Sequence, residues 1–521
     1  PCRMTPSLGS SVLKGDKSAR QPHAIQPSAK PVDLMSPSES NHIAAALQWR
    51  RTKIVATLGP ASNSRAMIEK IIAAGVDVVR INMSHGDAET HRAVVRRVRR
   101  AASRAGVHLA VLMDLCGPKI RVGKFADGAI ELAAGQSVVV TTRKVAGRAG
   151  LIPSQYRALH RDVQPGERIL LDDGRLALRV QAVKGSEVHC RVEEGGLLSN
   201  HKGMNLPGSR LSAATLTRKD REDAGLAVEL GVDFVALSFV RSARDVEQLE
   251  SLLKRLGAEI PVISKIERPE AVDNIAAIMD ASFGIMIARG DLGIELPAEK
   301  VPLIQRDLIA MGRQKGVPVI VATQMLESMM HHRRPTRAEV TDVAGAALLG
   351  ADAAMLSGET AVGRYPLEAV STMDRVLREV EGHQWHQDAF AREPIDKRGH
   401  KVHVIRESMA HAAVHLARDL KLDAVIVPTR TGTTARIVSA HRPLAPAVGA
   451  CAEARICRRM CLHWGILPVQ LGESETTDWR RICRFIARRI GLGRPGQDIL
   501  LVSGFHDDPA RNEPVLKLMH M

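Results

Sequence analysis

Eight apolar runs of strand length recur between residues 54 and 356, most of them separated by amphipathic stretches of helical period. They are Ile54–Leu58, Val76–Ile81, Ala110–Leu115, Phe234–Phe239, Pro261–Ile266, Gly284–Ala288, Pro318–Ala322 and Ala353–Leu356. These runs lack the apolar/polar alternation of a strand with one wet face, so each needs cover on both sides. Helical stretches such as Arg65–Ala74 and Ser242–Leu256 lie between them and supply that cover. Eight strand–helix units match a (β/α)8 barrel, with an open doubly wound sheet as the alternative.

One gap breaks the rhythm. Residues 118–215 carry alternating runs, among them Ala129–Leu132, Val138–Thr142, Arg168–Leu171, Leu176–Val180 and Glu187–Val192. Turn sequences punctuate them, such as Pro165-Gly166 and Asp172-Asp173-Gly174. We expect a small inserted β-barrel domain, placed at the catalytic face where it can close as a lid. Beyond a polar, His-rich linker after residue 383 a second α/β region begins, with strands expected at Ala424–Pro428, Ala447–Ala450, Leu467–Leu471 and Asp498–Ser503. The expected division is a disordered tail over 1–48, rich in Ser, Pro, Lys and Ala, with Met4 and Met35 as alternative true starts. The catalytic barrel then takes 49–117 and 216–382, the β insertion 118–215 and a C-terminal α/β regulatory domain 383–521.

Composition narrows the function. The net charge of +16 suits an anionic ligand, nucleic acid or a membrane surface. Aromatic residues are only 2% of the chain, too few for stacking single-stranded nucleic acid, and no apolar run approaches the roughly 20 residues that span a bilayer. Neither nucleic acid nor membrane is an expected partner. The dense run Arg96-Arg97-Val98-Arg99-Arg100 reads as a solvated helix face. Seven scattered cysteines, with no Cys-x-x-Cys pair, read as reduced structural thiols and point to the cytoplasm.

In a barrel the chemistry gathers where the strands end. The second strand ends Arg80-Ile81-Asn82-Met83-Ser84-His85-Gly86, and the third Asp114-Leu115-Cys116-Gly117-Pro118-Lys119-Ile120-Arg121. The fifth supplies Lys265 and Glu267, the sixth Arg289, Gly290 and Asp291, the seventh Thr323 and Gln324. Glu267 and Asp291 can hold Mg²⁺, a hard ion that takes one or two carboxylates plus substrate oxygens. Lys265 beside it can neutralise a transferring phosphoryl group and a developing enolate. Arg80 and Arg121 offer planar forks for phosphate, and Thr323 can pass a proton through water. The set suits phosphoryl transfer.

Longer motifs carry a resemblance. Lys265-Ile266-Glu267, Ala288-Arg289-Gly290-Asp291-Leu292-Gly293, Ala322-Thr323-Gln324-Met325-Leu326-Glu327-Ser328-Met329, Thr57-Leu58-Gly59-Pro60-Ala61-Ser62 and Met355-Leu356-Ser357-Gly358-Glu359-Thr360 occur in the order found in pyruvate kinases. So does Lys202-Gly203-Met204-Asn205-Leu206-Pro207-Gly208 after the insertion. The chain resembles that family from about residue 51 to 381. The resemblance implies transfer of phosphate from phosphoenolpyruvate to ADP, giving pyruvate and ATP. It implies that Arg80 and Thr323 bind substrate with the backbone around Gly290 and Asp291, and that Lys265 stabilises the transition state. It assigns Glu267 and Asp291 to Mg²⁺ or Mn²⁺, gives Arg121, Lys202, Asn82 and His85 to the nucleotide, and implies a homotetramer.

One departure stands out. Many family members hold K⁺ with groups matching Asn82, Ser84, Asp114 and the backbone of Leu115, and usually read Asp-Thr-Lys-Gly-Pro-Glu where this chain has Asp114-Leu115-Cys116-Gly117-Pro118-Lys119. A lysine ammonium can take the electrostatic place of that ion, so we expect activity without K⁺; the alternative is that Lys119 merely faces solvent. In the C-terminal region, Thr429-Arg430-Thr431-Gly432-Thr433-Thr434 follows a strand and opens a helix, as a phosphate cradle does. N-capping by Thr433 or Thr434 would explain it equally. The resemblance makes this loop a site for an activating sugar phosphate or nucleotide, although Gly504-Phe505-His506-Asp507-Asp508-Pro509 brings acidic residues where a Gly/Thr-rich loop often completes it. Two rival readings remain: a Mg²⁺-dependent aldolase-type barrel, which needs no nucleotide groups, and a non-catalytic module binding a phosphorylated metabolite or RNA.

Overall fold

The computed structural model describes residues 50–209, 211–386, 401–472, 478–492, 494–503 and 513–521. The expected tail over 1–48, most of the linker and the segment Gly504–Pro509 lie outside the described residues. In chain order the strands begin with β1 (Lys53–Leu58), β2 (Val78–Asn82) and β3 (Ala110–Asp114). An inserted set follows: β4 (Ala129–Leu132), β5 (Ser137–Thr141), β6 (Leu151–Pro153), β7 (Arg168–Leu171), β8 (Leu176–Lys184), β9 (Glu187–Glu194), β10 (Gly196–Ser199) and β11 (Met204–Asn205). Then come β12 (Phe234–Leu237), β13 (Val262–Ile266), β14 (Gly284–Ala288), β15 (Val319–Ala322) and β16 (Ala353–Leu356). The chain closes with β17 (Ala424–Pro428), β18 (Ala447–Cys451), β19 (Ile466–Gln470), β20 (Asp498–Ser503) and β21 (Val515–His520).

Strands β1, β2, β3 and β12 to β16 pair in parallel and close on themselves as an eight-stranded barrel, β16 returning to β1. The open-sheet alternative is thereby excluded. Alternate residues of each strand fill the barrel interior, including Val55, Leu112, Phe234, Ile263, Met286, Ile320 and Met355. Their neighbours, among them Ile54, Val79, Val111, Val235 and Val321, pack outward against the helices. Burial on both faces is why these strands read as continuous apolar runs. Side chains at the helix starts fix where the helices begin: Ser64, Asp87 and Thr336 each accept a hydrogen bond from a first-turn amide.

The insertion pairs as a six-stranded sheet, β11-β7-β8-β9-β5-β6, and a two-stranded sheet, β10-β4. Ile130 and Leu132 of β4 and Leu198 of β10 share one core with Val138, Ile169, Leu178 and Val188 of the larger sheet. It is entered through Gly117, whose left-handed backbone (φ 65°) lies against Phe239; an added Cβ would come within 2.6 Å of that ring. The C-terminal region is a five-stranded sheet, β19-β18-β17-β20-β21, with β21 antiparallel at its edge.

The C-terminal region seals the barrel end opposite the one where the strands finish. Cys461 and Leu462 complete the interior core. Lys53 at the start of β1 donates to the Ile466 carbonyl at 2.9 Å, and Arg442 meets Asp352, just before β16, at 3.0 Å. His463 stacks near Phe283, and burial, with Arg436, Lys53 and Arg442 around it, pushes its pKa down to about 3. The six cysteines among the described residues are free thiols.

Asp233, immediately before β12, is fully buried and ties three parts together. It bonds Arg99 at 2.8 Å, Arg458 of the C-terminal region at 2.7 Å, and the Val111 amide of β3 at 2.8 Å. Arg99 therefore departs from the solvated face expected of the Arg96–Arg100 run. Replacing Asp233 with alanine leaves two guanidinium groups and a strand amide short of their partner. We expect Asp233→Ala to lower the unfolding free energy by about 3–5 kcal/mol, read from urea denaturation; a loss below about 0.5 kcal/mol, the scale of an ordinary surface change, would contradict this role.

Candidate active site

The strand ends bring a buried cation and three acidic or hydroxylic partners together. Lys265 is near the end of β13, and Glu267 follows two residues later. Lys265 Nζ lies 2.7 Å from Glu267 Oε1, 2.8 Å from Ser238 Oγ and 3.5 Å from Asp114 Oδ2. Arg80, on β2, shares Asp114: its Nη2 is 2.6 Å from Oδ2, and its Nη1 donates to Thr57 Oγ1 at 3.1 Å. All four charged groups are buried. Buried charges persist only when paired in this way.

Each charge is set by its neighbours. Burial by itself would strip the Lys265 ammonium of its proton, but Asp114 and then Glu267 outweigh it and hold its pKa above the ordinary lysine value. Burial also works against the Asp114 carboxylate, yet Lys265 and Arg80 hold it below the usual range, with a smaller contribution from Lys119. Burial raises Glu267 above the usual carboxylate range; Lys265 opposes this and Asp291 adds to it. A carboxylate strained by burial and by a second carboxylate gains most from a divalent ion. Glu267 and Asp291 are thus a donor set that fits Mg²⁺, with other positions left to substrate oxygens and water. Among the described residues, no group of three or more His, Cys, Asp or Glu is arranged to hold a metal.

A second group forms beside the first. Gly290 N donates to Thr323 Oγ1 at 2.7 Å, and that hydroxyl donates to the Ala322 carbonyl at 2.6 Å. Arg289 braces it, reaching Asp342 at 2.5 Å and the Thr323 carbonyl at 2.6 Å. Thr323 and Gln324 both have left-handed backbone, φ 70° and 56°, and Phe239 has φ 56°. Non-glycine residues held this way store strain, and such strain clusters at functional sites.

Two cavities open on these groups. One, of about 260 Å³, is lined by Lys119, Arg121, Lys202, Phe239, Arg268 and Asp291, among others. Arg121 donates to the His201 carbonyl at 3.0 Å, and Lys202 pairs with Asp172 at 2.7 Å. The other, of about 630 Å³, is lined by Arg289, Gly290, Asp291 and Gln324 with Asp173 of the insertion. Asp291 lines both, whereas its expected partner Glu267 is buried and lines neither. His85 is exposed and lines neither cavity.

The expected monovalent-cation groups are partly committed. Asn82 Oδ1 accepts from the Ser84 amide at 3.1 Å, and the Leu115 carbonyl accepts from Ser238 Oγ at 2.8 Å. Asp114 Oδ1, by contrast, is buried with no hydrogen-bond partner. Lys119 is exposed to solvent and faces the smaller cavity. In the C-terminal region Thr429 Oγ1 accepts from Gly432 N at 3.0 Å, and Thr431 and Thr433 hydroxyls are 3.0 Å apart. The helix starts at Thr433 with Gly432 (φ 87°) as its cap and no side-chain capping bond, so the N-capping explanation for Thr433 and Thr434 does not hold.

Several working groups carried no role in the sequence reading. Ser238 bridges Lys265 to the Leu115 carbonyl, and the Phe239 amide donates to Glu267 Oε2 at 2.8 Å. Glu295 is buried beside Arg268 and Asn205, and burial holds its pKa up. Glu359 accepts from the Leu326 and Ser357 amides and so braces two loops. Of these, Ser238 and Glu359 stand just after strand ends, β12 and β16, and were open to detection from position alone.

A closed barrel with a lysine, carboxylates and arginines buried at its strand ends is the build of a metal-assisted enzyme. The chain matches the family model for the pyruvate kinase barrel domain over residues 49–370 and that for the pyruvate kinase alpha/beta domain over 407–514. It is 45% identical over 430 residues to a pyruvate kinase of Mycobacterium tuberculosis, covering 82% of this chain and 89% of the relative. It is 42% identical over 459 residues to a pyruvate kinase of Geobacillus stearothermophilus, covering 87% of this chain and 78% of the relative. The crystal structure of a pyruvate kinase from Cryptosporidium parvum matches with a TM-score of 0.83 at 34% identity, covering 92% of this chain and 97% of that one. The chain belongs to the pyruvate kinase family, glycolytic phosphotransferases that bind ATP and use a divalent metal such as Mg²⁺.

Proposed function

We propose that this protein transfers the phosphoryl group of phosphoenolpyruvate to ADP, giving pyruvate and ATP. The observation that carries the reading is the buried Lys265 ammonium, 2.7 Å from Glu267 and flanked by Asp114 and Arg80, at the barrel's strand ends. The phosphorus–oxygen bond to the enol oxygen breaks, its electron pair staying on that oxygen, while a bond forms to a β-phosphate oxygen of ADP. The resulting enolate takes a proton at carbon to become pyruvate. Lys265 sits to neutralise charge on the moving phosphoryl group and on the enolate. Arg80, Thr323 and the backbone at Gly290 and Asp291 hold the substrate, and Thr323 relays the proton through water. Glu267 and Asp291 hold Mg²⁺, which when bound supplies positive charge against the phosphoryl oxygens. Arg121 and Lys202 take the nucleotide phosphates at the smaller cavity, and Asn82, at the end of β2, and His85, just after it, contact the nucleotide from outside that cavity.

The proposed domain limits are 49–117 with 216–382 for the barrel, 118–215 for the lid and 383–521 for the regulatory region. We further propose cytoplasmic location, a homotetramer, and a sugar phosphate or nucleotide effector at Thr429–Thr434. ADP dependence separates this reading from an aldolase-type barrel. In an assay coupling pyruvate to NADH oxidation, the rate should vanish without ADP; pyruvate release independent of ADP would overturn it.

Lys119 supplies, in this proposal, the positive charge that K⁺ gives other members. The contribution of Lys119 to the low pKa of Asp114 supports it. Steady-state turnover in buffer free of K⁺ and Na⁺ should be close to that with K⁺, and Lys119→Glu should become K⁺-dependent. Activation of the unaltered protein by K⁺ of about tenfold, equivalent to ~1.4 kcal/mol, would contradict the role of Lys119.

A further inference from the structure

Helix Lys401–Asp419 of the C-terminal region carries Glu407, His411 and His415 at successive four-residue steps, which places them on one face. The Nε2 atoms of His411 and His415 are 2.9 Å apart and their ring centroids 4.1 Å apart. His441, which ends the helix Thr433–Ala440, presents its ring edge to His411 with centroids 5.7 Å apart. Its own Nε2 is 2.7 Å from Glu407 Oε2. Three imidazoles and a carboxylate thus meet at one place on the surface, each partly exposed, and none of them belongs to the residues of the candidate active site.

Two imidazole nitrogens facing each other at this distance can share one proton at most. Burial, then His415, His441 and Arg418, hold the His411 pKa below the ordinary histidine value, which leaves a neutral ring with a lone pair to give. Nitrogens bound to one metal ion at about 2.0–2.1 Å, at angles from 90° to 109°, lie roughly 2.9–3.4 Å apart. The observed spacing matches that range. We propose that His411 and His415 form a two-imidazole chelate for a first-row divalent transition metal such as Ni²⁺, Cu²⁺ or Zn²⁺. Glu407 is engaged by His441, and no third protein ligand is in place among the described residues, so water completes the coordination. Imidazole selects these ions over Mg²⁺, which takes oxygen donors, so the site is chemically separate from the Glu267–Asp291 pair. Affinity should rise from Ni²⁺ to Cu²⁺ and fall again to Zn²⁺.

The test is equilibrium dialysis of the full chain against NiCl₂ with saturating Mg²⁺, compared with His411→Gln and His415→Gln. Each variant should bind one equivalent fewer of Ni²⁺ than the unaltered protein while keeping its turnover. Equal uptake by all three proteins would overturn the site. A second measurement needs no variant: Cu²⁺ added at one equivalent should give an electron paramagnetic resonance spectrum with hyperfine splitting from two imidazole nitrogens. A spectrum without coordinated nitrogen would overturn the proposal even if a variant failed to fold.

Discussion

Lys265→Met is expected to lower kcat by roughly 10²–10³-fold, the scale of removing a preorganised stabilising group from a water-excluded site. Methionine keeps most of the side-chain volume and loses the ammonium. Phosphoenolpyruvate should still bind, because Arg80 remains anchored by Asp114 and Thr57. The effect therefore falls on kcat more than on KM, the mark of an interaction made in the transition state. The substitution also leaves Glu267 and Asp114 without their shared cation, at a stability cost of about 3–5 kcal/mol. Activity must accordingly be read below the variant's own unfolding transition. Lys265→Arg separates charge from shape: a guanidinium restores the pairing and stability but not the position of the ammonium. Turnover by folded Lys265→Met within about tenfold of the unaltered protein, ~1.4 kcal/mol in barrier height, would remove Lys265 from the chemistry.

The second large effect concerns the metal. Glu267→Gln keeps an oxygen to accept the Phe239 amide but loses the charge that faces Lys265 and Asp291. We expect the Mg²⁺ concentration for half-maximal rate to rise about 10–100-fold, at least the penalty known for groups one shell further out. The rate at saturating Mg²⁺ should fall as well, because Lys265 loses a partner at 2.7 Å and its position relaxes. Asp291→Asn should show the same metal dependence with a smaller loss of stability, since Asp291 is only partly buried. An unchanged Mg²⁺ requirement in both variants would place the ion elsewhere.

Much of this site was legible because a buried parallel strand writes its function in a short code. Lys265 and Glu267 are two residues apart, so they project to the same side where β13 ends. The eight apolar runs announced the barrel for the same reason: burial on both faces forbids alternation. What stayed hidden depends on contacts distant in sequence. Asp233 looks like any acidic residue before a strand, and its two arginines come from 134 and 225 residues away. The left-handed backbone at Phe239, whose amide donates to Glu267, has no compositional mark because it is not glycine. Strand β6 is three residues long and ends in Pro153 at a sheet edge, where a missing amide costs nothing. Strand β21 alternates weakly because it is an edge strand with most of its side chains exposed.

The most direct measurement is a ³¹P NMR time course of the unaltered protein with phosphoenolpyruvate, ADP and Mg²⁺, in buffer free of K⁺. The phosphoenolpyruvate resonance should decline as the γ-phosphate resonance of ATP grows, one for one, with no inorganic phosphate. Release of inorganic phosphate without ATP, or an unchanged phosphoenolpyruvate signal with and without K⁺, would contradict phosphoryl transfer by the Lys265, Glu267 and Asp291 site.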